Sequence, residues 1–536
     1  MRHNTRWLFL TFVALLSVST AMAQEKTVQP EQLGKVHFPV SCSATAQQQF
    51  DRAVALLHSF FFPETVKAFT AVTETDATCA MGYWGLAMSQ RSNPLILPLD
   101  IAALKRGWEA VERAQAAGPK TPREQGYIAA MAAYFRDPDR GGYEQRVEAY
   151  ERAMEQLYQH YPDDPEAAIF YALALNEAVD HADKTYARQL KAGAILEKIF
   201  AEQPDHPGVA HYIIHTYDFP PLAERGLPAA RRYAEIAPSS PHALHMPSHI
   251  FSMLGLWQES IQGNLASTAA AKAYAAKHLP GQTLWLHMDD FRIYAYLQGA
   301  QDQQAKRIVE ERNAIEKVIP VRLPNDTAYA AIPVRYAIER GQWSEAAALE
   351  VYPSQYPQAE AILQFGRALG AARAGDIAKA RGAIDRLQSY RDALTQAQQA
   401  YWADQVEIQR KAAMAWVARA EGKTEEAFQL MRAAADLEDA SEKHIAMENR
   451  LVPMRELLGE LHLELNQPAE ALREFEASLQ NSPNRFRSFY GAAKAAERAG
   501  QPQKTKTFYE QLVVLCSQAD AERPELTEAR AFLAKQ

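Results

Sequence analysis

A short motif recurs along this chain: a small turn residue, one further position, an often bulky residue, then Glu and Ala or Ser. It reads Gly255-Leu-Trp257-Gln-Glu259-Ser260 and Gly341-Gln-Trp343-Ser-Glu345-Ala346, with weaker copies starting at Gly375, Gly422, Asn466 and Gly500. The steps from 341 to 375 and from 466 to 500 are both 34 residues. Each turn lies between two stretches of helical periodicity, such as 457–465 and 469–480 around Asn466. A unit of two short helices cannot bury its apolar face alone, so a chain built this way must stack its units into an array. No stretch alternates polar and apolar residues over a useful length, which argues against a β domain.

The cleanest unit runs over 452–485, with Leu458-Gly459 in its first helix, Ala471 in its second and Pro483 closing it. Small residues at those points let paired helices approach, while Leu458, Leu472 and Leu479 fill the space between them. Earlier, 50–59 and 65–73 form a further hairpin, and Tyr83-Trp84-Gly85-Leu86-Ala87 opens the next. This pattern resembles the tetratricopeptide repeat (TPR) superfamily over roughly residues 45–520. The resemblance implies an all-α, right-handed superhelical solenoid of helix–turn–helix repeats. It divides the chain into an N-terminal array over 45–325 and a C-terminal array over 326–536, behind an extended lead-in over 24–44.

The resemblance also implies a concave groove lined by the second, fifth and ninth residues of each repeat. Pro207 and Pro241 stand 34 residues apart as the first residues of consecutive repeats. In that register His211 matches His245 and His215 matches His249, at the fifth and ninth places, and His242 takes a second place. One repeat on, His287 falls at a second place and Asp290 at a fifth, with Tyr294 nearby, and Arg335 takes the ninth place of a later repeat. Each of the pairs His211/His215 and His245/His249 is spaced i,i+4, so each shares one helix face. Four imidazoles from two adjacent helices are a plausible set for Zn²⁺, Cu²⁺ or Fe²⁺, and Asp290 or His287 can extend it. Asp289, Asp290 and Asp218 are the local candidates for a general base, and Tyr212, Tyr217 and Tyr294 for hydrogen bonding. Asp218 also reads as a residue ending a helix. Pro247 would break the helix between His245 and His249. His58, His206 and His278 are read as ordinary surface hydrogen-bonding residues.

The amino terminus reads as an address. Arg2 and Arg6 precede an apolar run from Trp7 to Val18, and Ala21-Met-Ala23 supplies a cleavage site, so 1–23 is a signal peptide and Gln24 the first mature residue. Its removal takes the formal charge from −8 to −10, which argues against a broad nucleic-acid surface. A periplasmic or secreted protein with no later membrane span is expected. In that oxidising setting Cys42 and Cys79 flank one helical hairpin and are candidates for a disulfide, leaving Cys516 as a buried thiol. Gly422-Lys423-Thr424 mimics the end of a phosphate loop, but Val417 stands where its first glycine is needed. Two functions follow. The chain is an exported interaction protein binding a peptide, protein or other ligand in a His-rich groove, or it is a metalloprotein, with or without enzymatic activity, using His211, His215, His245 and His249.

Overall fold

Helix starts and stops are written into the local sequence. Side chains of Ser43, Asp100, Thr121 and Asp164 accept backbone N–H bonds at the first turns of the helices Ala44–His58, Ile101–Ala116, Pro122–Phe135 and Pro165–Glu177. Proline stands in the first turn of many others, including Pro207–Tyr217 and Pro241–His245, where its missing N–H leaves no bond unmade. All six turn residues of the recurring motif adopt positive φ: Gly255, Gly341, Gly375, Gly422, Asn466 and Gly500. The N–H of the following residue bonds back five positions, as Gln342 to Ala337 at 2.9 Å and Lys423 to Ala418 at 2.9 Å. The motif is therefore a left-handed helix stop followed at once by the next helix.

The computed structural model describes residue 1 and residues 31–535, apart from 97–98, 140–141, 181, 446 and 449. The signal-peptide reading of 1–23 lies, but for Met1, outside the described residues. From Gln32 onward the chain is one compact body of consecutive helices ending with Pro524–Leu533, and no strand occurs among the described residues. Successive helices pack as antiparallel pairs, and first helices of neighbouring pairs also touch, as Leu286–Gln298 does Leu323–Glu339. This is an all-α solenoid of TPR-like helix–turn–helix repeats. No helix among the described residues is long and apolar enough to cross a membrane.

Residues 32–43 form no helix and lie against the array. Phe38 is buried among Phe50, Trp84 and Tyr127, with ring centroids 5.4, 5.7 and 4.9 Å away. Cys42 and Cys79 are bonded, their Cα atoms 5.0 Å apart, and Cys516 is a buried free thiol. The division placed between residues 325 and 326 falls within the helix Leu323–Glu339. That helix serves two cores at once: Ala330, Val334 and Ile338 face one, Ala328 and Ile332 the other. A stack in which every unit buries its neighbour leaves no seam there.

The solenoid returns on itself. Trp257 Nε1 donates to the Asn484 carbonyl at 2.7 Å, and Asn484 Nδ2 to the Gly255 carbonyl at 3.2 Å. Further along, Arg523 Nε meets Asp302 at 3.0 Å and Gln303 N bonds Asp520 at 2.9 Å. Trp257, the bulky residue of the turn motif, is thus also a tie between segments 227 residues apart. A Cβ on Gly255, whose φ is +64°, would lie 2.5 Å from the Pro483 carbonyl oxygen. Gly341 shares that backbone, φ +63°, with nothing among the described residues within 4 Å of such a Cβ. Gly341→Ala is expected to cost about 1–2 kcal/mol of backbone strain alone. Gly255→Ala should cost clearly more in a denaturant titration, and equal costs would contradict the close approach.

Candidate metal centre

The paired histidines come from helices with different histories. Pro207–Tyr217 is one uninterrupted helix, and it carries His211 and His215 one turn apart. The second pair spans a break, because Pro241–His245 ends and Pro247–Met253 begins at Met246. Met246 itself keeps right-handed helical backbone, φ −53° and ψ −37°, so Pro247 removes a hydrogen bond without redirecting the chain. His245 and His249 stay one turn apart and meet, Nε2 to Nε2, at 3.1 Å.

Six histidines gather into two adjoining groups. His211, His215 and His242 form one, His245, His249 and His287 the other, and within each group the nearest ring nitrogens lie within 4.8 Å of one another. Between groups, the rings of His215 and His249 are 6.0 Å apart and those of His242 and His245 6.1 Å. His211 and His245 are fully buried, His215 and His249 nearly so, and His242 and His287 partly.

The tautomers of three rings follow from their neighbours. His211 Nδ1 lies 2.6 Å from the His58 carbonyl, which only accepts, so Nδ1 carries the hydrogen and Nε2 a lone pair. His245 Nδ1 lies 2.6 Å from Asn264 Oδ1, and Asn264 is oriented by its own Nδ2 donating to the Ser260 carbonyl at 2.8 Å. His249 Nδ1 lies 2.9 Å from Asp218 Oδ2, which Lys443 Nζ also approaches at 2.7 Å. The facing Nε2 atoms of His245 and His249 are therefore both lone pairs, with no proton between two neutral rings. His211 Nε2 lies 3.2 Å from His242 Nε2, where a hydrogen on the His242 nitrogen would make an ordinary hydrogen bond. Among the described residues His215 finds no hydrogen-bond partner for either ring nitrogen, and His287 none for Nδ1. Orphaned nitrogens this deeply placed are costly unless something else satisfies them.

Burial also keeps these rings uncharged. Desolvation pulls His211 down to about 3 and His245 to about 4, and holds His215, His242, His249 and His287 well below the ordinary imidazole range. Burial pushes the Asp218 carboxyl up, and the Lys443 ammonium opposes that. Around the two groups lies an outer layer of carboxylate, amide and carbonyl acceptors holding Nδ1–H atoms, the arrangement that orients histidine ligands toward a metal.

Several expectations require correction. Asp290 does not complete the histidine set: its Oδ1 takes Arg335 Nε at 2.8 Å, and Arg335 NH1 donates to the Arg450 carbonyl at 3.0 Å. Arg335, fully buried, therefore holds that ion pair instead of facing a ligand groove. Tyr294 is buried against Arg485. Residues far along the chain reach these elements instead: Lys443 at Asp218 and the Arg450 carbonyl at Arg335. Asp289 pairs with Arg292 at 2.7 Å, away from the histidines, and Tyr217 with Glu197 at 2.7 Å. His58 and His206 are buried too: their Nε2 atoms clasp Glu166 at 2.9 and 3.0 Å, and Tyr212 bonds His58 Nδ1 at 3.0 Å. Those two imidazoles hold the Glu166 carboxyl below its usual range against the opposing effect of burial. This trio anchors the His58 carbonyl that orients His211. Asp218 ends its helix as read and also orients His249. Asn264 and Lys443 carried no sequence signal.

The fold is a TPR-like helical solenoid in which the helices from Pro207 to Gln298 bring together two adjoining groups of three histidines. No family model and no curated protein matches the sequence. Solved structures similar to it include Naa15/Naa10 bound to HypK-THB, at 12% identity over 91% of this chain and 91% of that one, with a TM-score of 0.23. The APC/C hetero-tetramer Cut9-Hcn1 is another, at 11% identity over 92% of this chain and 95% of that one, with a TM-score of 0.27.

Proposed function

We propose that the protein is a metalloprotein that holds transition-metal ions in the six-histidine cluster, on a fold whose general use is as an interaction scaffold. One observation carries the reading. His245 and His249 aim fixed lone pairs at each other at 3.1 Å, which is repulsive between neutral rings and is the spacing of two ligands on one ion at about 2.0–2.1 Å. The ligand set is imidazole throughout, which suits Zn²⁺, Cu²⁺ or Fe²⁺. The Cys42–Cys79 bond supports the exported setting expected from the leader.

The test is metal analysis of untagged mature protein beside His211→Ala/His245→Ala. Stoichiometric metal in the parent, lost in the double variant, is the expected result. A parent that neither contains metal nor takes up Zn²⁺, Cu²⁺ or Fe²⁺ overturns the reading. Asp218→Asn keeps the shape beside His249 and removes the charge. It should weaken metal affinity about ten- to a hundredfold in a chelator competition, as loss of an orienting carboxylate does. An unchanged affinity would show that Asp218 serves only Lys443.

A further inference from the structure

The two histidine groups are equivalent in kind, three imidazoles each, and they share a border. Among the described residues neither group includes a carboxylate or a thiolate. Six neutral ligands bring no negative charge, and Asp218, which bonds His249, is also bonded by Lys443. Two divalent ions would place four positive charges in a buried, weakly solvated interior, whereas two Cu(I) ions place half as many. Imidazole accepts copper, and copper stands highest in the affinity order of the divalent first-row metals. Among the described residues neither group itself offers the carboxylate ligands that harder ions favour.

One route of access is a cavity that meets the first group. A cavity of ≈ 690 Å³ is lined by residues of the helices Tyr143–His160 and Ala400–Ala420 and by His215 and Asp218. Phe219, Tyr401 and Trp402 line its walls. It thus reaches the edge of the first group beside the border with the second, where the rings of His215 and His249 stand 6.0 Å apart.

We infer that the two groups hold one copper ion each, as a dinuclear centre that takes up dioxygen from this cavity as a bridging peroxide. The inference rests on the metal reading above and adds the number of ions, their identity and their ligand. In the step each Cu(I) gives one electron, and the pair reduces O₂ to peroxide. The O–O π bond is lost, the O–O σ bond is kept, and copper–oxygen bonds form at both ions. No proton moves, and the dianion offsets the charge that oxidation adds to the buried pair.

The experiment uses the full mature chain, untagged, loaded with Cu(I) without air and then opened to oxygen. Two coppers per chain are expected, with uptake of one dioxygen per pair. A near-ultraviolet charge-transfer band absent before oxygenation should appear, with no Cu(II) paramagnetic resonance because the two spins couple. His215→Gln and His287→Gln, each checked for native circular dichroism, should drop to one copper per chain. On oxidation each should show the resonance of a lone Cu(II). One copper per chain in the parent, two without oxygen uptake, or a parent with uncoupled Cu(II) overturns the inference. A parent that binds zinc or iron but no copper overturns it while leaving the metal reading in place. A parent that binds no metal overturns both.

Discussion

Replacing Arg485 by Met should lower the stability of the chain by about 3–5 kcal/mol, among the largest effects expected of any single substitution here. Arg485 precedes the helix Phe486–Arg498 and is fully buried. Its Nε and NH2 bond both oxygens of Glu456 at 2.9 and 2.8 Å, NH2 also reaches Glu339 at 2.7 Å, and NH1 bonds the Tyr294 hydroxyl. Burial acts against its charge, but the two carboxylates hold the guanidinium firmly protonated. One side chain thus ties together helices at Tyr294, Glu339 and Glu456, where the end of the solenoid meets its middle. Methionine fills much of the volume but leaves Glu339 and Glu456 facing each other without a counter-charge. Arg487, with Nε 3.4 Å from Glu456, is largely engaged by Glu460 and cannot replace it. Adding Glu339→Gln to Arg485→Met should return part of the loss in a denaturant titration. A single variant of near parental stability would mean that water or protonation compensates the carboxylates without difficulty.

The second large effect is a pH dependence traced to Glu448. Burial pushes its carboxyl up to about 8, against the partly offsetting Arg335 guanidinium, with Ser252, Asp290 and Lys443 as its other near partners. The sign follows from linkage. Between about 4.5 and about 8 the folded state keeps a proton that the unfolded chain has released, so this group makes stability fall as pH rises. Its contribution is complete below the unfolded pKa and is lost progressively through the folded one, at about 1.4 kcal/mol per pH unit inside that window. Glu448→Gln mimics the protonated form at every pH. Its stability should match the parent near about pH 5 and exceed it by several kcal/mol near about pH 9, so the difference between the curves isolates this group. Parallel curves across that range would exclude Glu448 as the source.

Much of the local architecture was legible in the residues. The turn motif at Gly255, Gly341 and their weaker copies marks left-handed helix stops, because only glycine, and here Asn466, takes positive φ at little cost. The 34-residue offset of Pro207 and Pro241 aligned two first helices correctly, and the i,i+4 spacing placed each histidine pair on one face. His242 and His287 were also found by register, and both stand in the two groups. The assignments of Asp290, Arg335, His58 and His206 failed together for one reason. Each was judged by its place within one repeat, while each is decided by a partner far along the chain.

The sequence by itself determined the helices, their stops, their pairing and the histidine register, because these depend on a 3.6-residue period and on turns a few residues long. Only the tertiary structure decided which nitrogens face one another, that Asn264 and Asp218 settle two of the tautomers, and which distant residues meet the histidine helices. Lys443 reaches Asp218 across 225 residues. Such a contact arises from the curvature of the whole stack, which adds a small rotation at every repeat, and no local pattern encodes that sum.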